Sequence, residues 1–284
     1  MISNTLSRLL LFFIAIPFLI LLIWFDPTPE LVLLNILVLL VGIGASIESA
    51  RLFGLNIHRL RVLLGAAVVG AVPLISGFLV VWFSWSPIVF YASIMVTLTL
   101  VLTYVLAAYT VDKGETFYAK AGASLILTVY PGAFLGHFIL YTTLDHSKLI
   151  ILLFFMTVFM NDSLAYVGGM LLGKNSPKPF LLSPKKTTVG LTFGLVTSIV
   201  VMGIGCWMFP FLFPFGPASA MALGLITGIL GVFGDLLESG FKRSAGLKDS
   251  GSVIPGRGGI MDSFDSALFA APMYYYAFLL FQSI

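Results

Sequence analysis

The sequence predicts an all-α protein that crosses a membrane about nine times, N-terminus in the cytoplasm and C-terminus outside. Three observations predict it. The 284 residues are 59% hydrophobic and 10% charged, with a mean hydropathy of +1.08, whereas a soluble domain carries about 25% charged residues. Nine apolar runs reach the roughly 20 residues that a helix needs to cross a hydrocarbon core. The basic residues fall almost entirely in alternate loops, as the enrichment of Lys and Arg on the cytoplasmic side requires.

The spans are expected near 6–25, 31–49, 62–83, 87–110, 121–143, 149–172, 188–213, 218–238 and 264–283. The first lies behind a single Arg8 and runs on into IWFDPTPE without a small-residue cleavage site. It reads as a retained span and not a signal peptide. Arg8, then Arg51, Arg59 and Arg61, then Lys113 and Lys120, then Lys174, Lys178, Lys185 and Lys186, and finally Lys242, Arg243, Lys248 and Arg257 all fall on one side of this arrangement; Lys148 falls on the other. The outer loops are short and poor in charge, so function is expected on the cytoplasmic face.

The chain reads as a single membrane domain, 1–284, with 1–148 mainly scaffold spans and 149–284 carrying the chemistry. In the scaffold, Glu48 and Arg51 are three apart and are expected to pair locally. Pro73 and Pro131 are expected to kink their helices, which membrane helices tolerate. His137, alone in a span, is expected to pack with a hydrogen bond. The one cysteine, Cys206, excludes a disulfide framework and a multi-cysteine metal site; it reads as packing.

Three constellations carry possible chemistry. In span six, Asn161 and Asp162 interrupt an apolar run, and an intramembrane carboxylate marks a functional site by default. Ser163, Ala165, Gly168 and Gly169 around them permit close helix approach. In the next loop, Ser183-Pro184-Lys185-Lys186-Thr187-Thr188 places two lysines beside hydroxyls just before a helix. Thr187 or Thr188 is expected to cap span seven, whose free N–H groups favour phosphate. The third is Gly234–Asp265, with five carboxylates and four basic side chains in 32 residues. Asp235 and Glu238 share a helix face, and Asp262 and Asp265 repeat the spacing at the start of span nine. Two such pairs offer hard oxygen ligands to one or two cations, a donor set that suits Mg²⁺. The basic residues between them would neutralise phosphate, and the Pro255–Gly259 run would offer backbone N–H groups to an anion. Four lipid-facing acids would cost on the order of 10 kcal/mol, so they must face water, a cation or each other.

There is no GxSxG, HExxH or GxGxxG. Gly168–Lys174 matches the GxxxxGK part of a phosphate-binding loop but ends an apolar helix and fails at Asn175. Hydrolase, zinc-protease and ATP-pump classes therefore lack motif support.

The C-terminal motifs resemble those of the phosphatidate cytidylyltransferases, the CDP-diacylglycerol synthases. The signature residues stand here as Ser239, Phe241, Lys242, Arg243, Lys248, Asp249, Gly251, Ile254, Pro255, Arg257, Gly258, Gly259, Ile260, Asp262, Ser263, Phe264 and Asp265. The Asn161-Asp162-x-x-Ala165-Tyr166, Ser183–Thr187 and Gly234-Asp235-Leu236-x-Glu238-Ser239 segments are similar to that family's as well. Arg257 stands where the family has His, Ser263 where it has Arg, and Val189 where it often has Glu.

The resemblance implies transfer of the CMP moiety of CTP to phosphatidic acid, giving CDP-diacylglycerol and pyrophosphate, with Mg²⁺ as cofactor and room for a second cation. It implies metal binding by Asp162, Asp235, Glu238, Asp262 and Asp265. Catalytic roles would fall to Asp262, Asp265, Lys242 and Arg243. Substrate binding would fall to Asn161, Ser183, Lys185, Lys186, Thr187, Ser239, Lys248, Asp249, Arg257, Gly258 and Gly259. The expected setting is the inner membrane, with the site on the cytoplasmic side, CTP, phosphatidic acid and membrane lipid as partners, no nucleic acid, and a homodimer allowed. Two other classes fit the intramembrane charges: an ion-coupled transporter, and a catalytically impaired relative that binds anionic lipid.

Overall fold

In a computed structural model the structure describes residues 17–55, 60–111, 117–254 and 258–283, with 60–63, 108–111 and 117–120 described by backbone only. After a first helical stretch, α1 (17–25), come α2 (Val32–Leu52), α3 (Leu60–Trp82), α4 (Ile88–Val111), α5 (Phe117–Leu127), a π-helical segment Thr128–Phe134, α6 (Leu135–Tyr141), α7 (Ser147–Leu172), α8 (Thr188–Met208), a 3₁₀ turn Pro210–Leu212, α9 (Gly216–Ser244) and α10 (Met261–Gln282). Eight helical stretches among the described residues are long and apolar enough to span a membrane. The protein is an all-α polytopic membrane protein, and helix is what a bilayer demands, since no water is there to satisfy exposed backbone groups. The expected first span, 6–25, lies largely outside the described residues.

The spans fall where hydropathy places them, with two differences. The break expected at Pro131 is not a kink but a π-helical turn, buried from Thr128 to Ala133 except for Val129. Proline brings no N–H to the ladder, and a wider turn absorbs the missing bond. α9 runs to Ser244, well past the expected end at 238, so Lys242 and Arg243 occupy its last turn and not a loop. Cations there complement the negative end of the helix.

The chain forms two compact units. The first comprises Met1–Asp145 and Ser244–Ser263. In it α2, α3, α4 and the α5–α6 stretch pack on one another. Gly70 lies against Ser46, so close that a β-carbon there would overlap the serine. His137 is buried, with Nδ1 2.8 Å from the Ala133 carbonyl and its ring edge-on to Phe90, the packing role expected of it. Asp26, in the turn before α2, accepts from Thr28 Oγ1 (2.6 Å), Thr28 N–H (3.0 Å) and Leu33 N–H (2.8 Å).

The second unit comprises His146–Arg243 and Phe264–Ile284. α7 packs along α8, and glycines let the backbones close up. β-Carbons at Gly190, Gly194, Gly224 and Gly234 would each collide with backbone or side-chain atoms of a neighbouring helix. Such close approach replaces the hydrophobic drive that is missing between helices in lipid. Cys206 is buried and free.

Candidate active site

In the second unit, α8 begins with a cap the sequence announces. Thr187 is extended (φ −106°, ψ 152°), and its hydroxyl accepts the Gly190 N–H at 3.1 Å. One residue earlier, Lys186 N–H donates to the Ser183 carbonyl (3.1 Å). The backbone on both sides of Lys186 is thereby fixed, and its ammonium forms a 2.5 Å ion pair with Asp235 of α9. Ser239, one turn on, donates to the other Asp235 oxygen at 3.3 Å. Glu238 and Lys242, four apart on α9, form a second ion pair in which both residues are buried.

Asp265 of α10 is buried, and its Oδ1 accepts the N–H of Ser266 at 2.6 Å. It lies in electrostatic reach of Asp235, Asp162 and Lys242. Acids of α7 and α9 thus act on Asp265 of α10, with Lys242 as an offsetting cation, while Lys186 pairs with Asp235. Lys185 and Arg243 are exposed, and Ser183 is half-buried.

Asn161 has a different part from its neighbour Asp162. It is buried, and its amide donates to the Gly228 carbonyl of α9 at 3.0 Å. Its Oδ1 has no hydrogen-bond partner and fills the space that a β-carbon on Gly194 of α8 would take. Asn161 therefore joins α7, α8 and α9, which sets the helix that presents Asp162.

In the first unit, the segment after α9 folds around two carboxylates. Asp262 Oδ2 accepts Ser250 N–H (2.8 Å), Ser250 Oγ (2.8 Å) and Gly259 N–H (2.7 Å). Glu48 of α2 accepts Ile260 N–H and Met261 N–H, each at 2.9 Å. An antiparallel bridge, Ile254 N–H to Gly258 O (2.8 Å) and back (3.0 Å), closes the loop at its base. Gly258 takes φ +114°, a conformation open to glycine and strained for other residues.

These contacts correct two expectations. Glu48 does not pair with Arg51, which is exposed; the two backbone N–H groups near the start of α10 hold its carboxylate instead. Within the first unit, α2 thereby supplies an acceptor to the signature loop. Of the glycine run, the two described residues do not offer their N–H groups outward: those of Gly258 and Gly259 are taken by the Ile254 carbonyl and Asp262. Ser263 is buried and donates to the Gly259 carbonyl at 3.2 Å, so the position where the family has Arg has a local use here. Lys248 and Asp249 are exposed. Pro255 and Arg257 lie outside the described residues.

Sequence reasoning gave Glu48 only a local pairing and passed over Ser250. The signal for Glu48 was present: a lone acid in an apolar run beside Gly42, Gly44, Ala45, Ser46, Ser49 and Ala50, small residues that mark a closely packed helix face.

Among the described residues no three of His, Cys, Asp and Glu are placed to hold a metal by themselves. Magnesium, however, takes one or two protein carboxylates and completes its shell with water and substrate phosphate. The hard oxygens of Asp162, Asp235 and Asp265 fit that chemistry.

A family model described as the cytidylyltransferase family matches residues 6–281. Proteins named phosphatidate cytidylyltransferase are similar to the chain: one from Staphylococcus saprophyticus is 35% identical over 182 residues, one from Staphylococcus haemolyticus 37% over 176, and one from Staphylococcus epidermidis 32% over 182. Each match covers 61% of this chain and 65% of the relative. The chain thus spans a little under two thirds of the length of the curated relatives it matches.

Proposed function

The chain belongs to the cytidylyltransferase family, and on that premise we propose that it transfers the CMP moiety of CTP to phosphatidic acid, releasing pyrophosphate, on the cytoplasmic side of the inner membrane. The observation that carries the reading is the group of Asp162, Asp235 and Asp265, flanked by Lys186 and Lys242, in an otherwise apolar protein.

In this reaction a phosphate oxygen of the lipid attacks the α-phosphorus of CTP. One P–O bond forms there, the bond to the β-phosphate oxygen breaks, and pyrophosphate leaves with the electron pair. Both reactants are anions, so the site must offset their repulsion with fixed positive charge. Lys186 and Lys242 supply it, each leaving its carboxylate for a phosphate oxygen. Lys185 and Arg243, exposed on the same unit, extend that charge for the incoming nucleotide. Asp162, Asp235 and Asp265 would hold Mg²⁺, which when bound neutralises phosphate charge and makes the α-phosphorus more electrophilic. Asp265, the most enclosed of the three, orients the attacking phosphate. Glu238 holds Lys242 until substrate arrives, and Asn161 and Ser239 position Asp162 and Asp235. Asp262 acts as the anchor of the signature loop.

The test is the purified chain in proteoliposomes with radiolabelled CTP and phosphatidic acid. Formation of a labelled lipid that stops when EDTA removes divalent cations supports the reading. Asp265→Asn should lower the rate by about 100-fold or more with an unchanged melting temperature. Near-normal turnover by that variant would overturn the assignment, and a folded wild-type chain that makes no labelled lipid would overturn the reaction.

A further inference from the structure

Glu48 stands on α2, yet it holds a segment 212 positions away. It is only 7% exposed. Oε1 accepts the N–H of Ile260, and Oε2 accepts the N–H of Met261 while lying 3.2 Å from Ser250 Oγ. Those two N–H groups belong to the last loop residue and the first residue of α10. A helix start leaves such donors without intrahelical partners, and a carboxylate placed there also meets the positive end of the dipole. α10 is therefore capped by a side chain from a different span.

The surroundings are shaped to this carboxylate. A β-carbon on Gly259 would come within 2.7 Å of Glu48 Cδ, and one on Gly251 within 2.5 Å of Oε1. Gly44, one turn before Glu48, faces the tip of the Ile260 side chain, which a β-carbon there would displace. Ser250 Oγ lies between the two acids, 2.8 Å from Asp262 and 3.2 Å from Glu48. The loop backbone thus rests on Glu48 from one side and on Asp262 from the other.

We propose that Glu48 is a positioning residue: it sets the backbone placement of the Ser250–Ile254 and Gly258–Met261 stretches, and with it the conformation at the very start of α10. It touches no substrate. Its kinetic consequence rests on the reaction proposed above, because those stretches carry signature residues; the structural consequence does not.

The experiment compares Glu48→Gln and Glu48→Asp with wild type in lipid nanodiscs, by hydrogen exchange and by CMP transfer. Gln keeps the shape but turns one acceptor into a donor facing an N–H. The amides of Ile260 and Met261 should then exchange about tenfold faster or more, as expected for loss of a charge-assisted bond, while those of α7 and α8 keep their rates. Transfer should fall by about tenfold in kcat/KM, and Asp should recover part of both effects. Unchanged exchange at Ile260 and Met261 overturns the proposal, and so does a uniform acceleration across the protein, which would make Glu48 a residue of general stability. A Gln variant that transfers CMP as fast as an active wild type overturns the link to the reaction. If exchange responds as expected while wild type transfers nothing, the positioning role stands and the proposed reaction falls.

Discussion

The Lys186–Asp235 pair gives a sharp test of how the second unit holds its charges. The nitrogen lies 2.5 Å from the carboxylate oxygen, and the side chains are 21% and 30% exposed. Exposed pairs couple by about 0.2–1 kcal/mol, while breaking a fully buried pair costs roughly 3–5 kcal/mol. Partial exposure puts the coupling between these limits, at about 1–3 kcal/mol. The entropy cost of ordering the lysine is reduced, because the Ser183 bond and the Thr187 cap already fix the backbone beside it. Lys186→Met, Asp235→Asn and the double variant form a cycle that isolates the pair term. Unfolding free energies in detergent should show a coupling in that range, and each single variant should lose CMP transfer. Exchanging the two residues, Lys186→Asp with Asp235→Lys, should recover part of the stability and none of the transfer, because phosphate and cation each need their own position. Additive stability losses would refute the pair as a fixed element of the fold, and transfer by the exchanged variant would refute the assigned roles.

Two further predictions concern packing and pH. Gly228→Ala would bring a β-carbon to 2.5 Å from Ser198 Oγ and 3.1 Å from Asn161 Nδ2, an overpacking that should cost about 1–3 kcal/mol; an unchanged melting temperature would show that α8 and α9 can separate freely there. Burial raises the Asp26 carboxyl, but hydrogen bonds from Thr28, Leu33 and Leu34 outweigh it and hold the group below its ordinary value of 3.8. A depressed carboxylate stabilises the fold above its unfolded value and loses that contribution as pH falls through the folded one. Asp26→Asn should therefore melt below wild type at neutral pH, with the gap closing under acid below about pH 4; a gap that does not change with pH would contradict this.

Much of the molecule could be read before any tertiary contact was known. Span positions follow from hydrocarbon thickness, and Thr187 follows from the preference of hydroxyls for helix starts. Both rules act within a few residues, so a linear pattern contains them. Asn161 and Asp162 stood out as a polar pair in an apolar run, but nothing in the run separated their parts. Asn161 turns to the Gly228 carbonyl, and Asp162 lies within reach of Asp265. Adjacent helical residues point about 100° apart, and only the neighbouring helices decide what each direction meets. The end of α9 was misjudged for a related reason. Hydropathy marks where hydrocarbon ends, while a helix continues wherever its charges find partners, as Glu238 and Lys242 do.

Glu48 shows the limit most clearly. Local spacing offered Arg51, a partner three residues away on the same helix. A helix start needs acceptors for its unpaired N–H groups, and the identity of the acceptor is a matter of which side chain lies near in space. Composition and periodicity determine that the chain crosses a membrane, where it does so, and that charged residues gather toward its C-terminal half. Only the packed structure decided that Lys186 meets Asp235 and that the signature loop rests on Glu48. Those pairings are set by the close approach of helices distant in sequence, which no local pattern encodes.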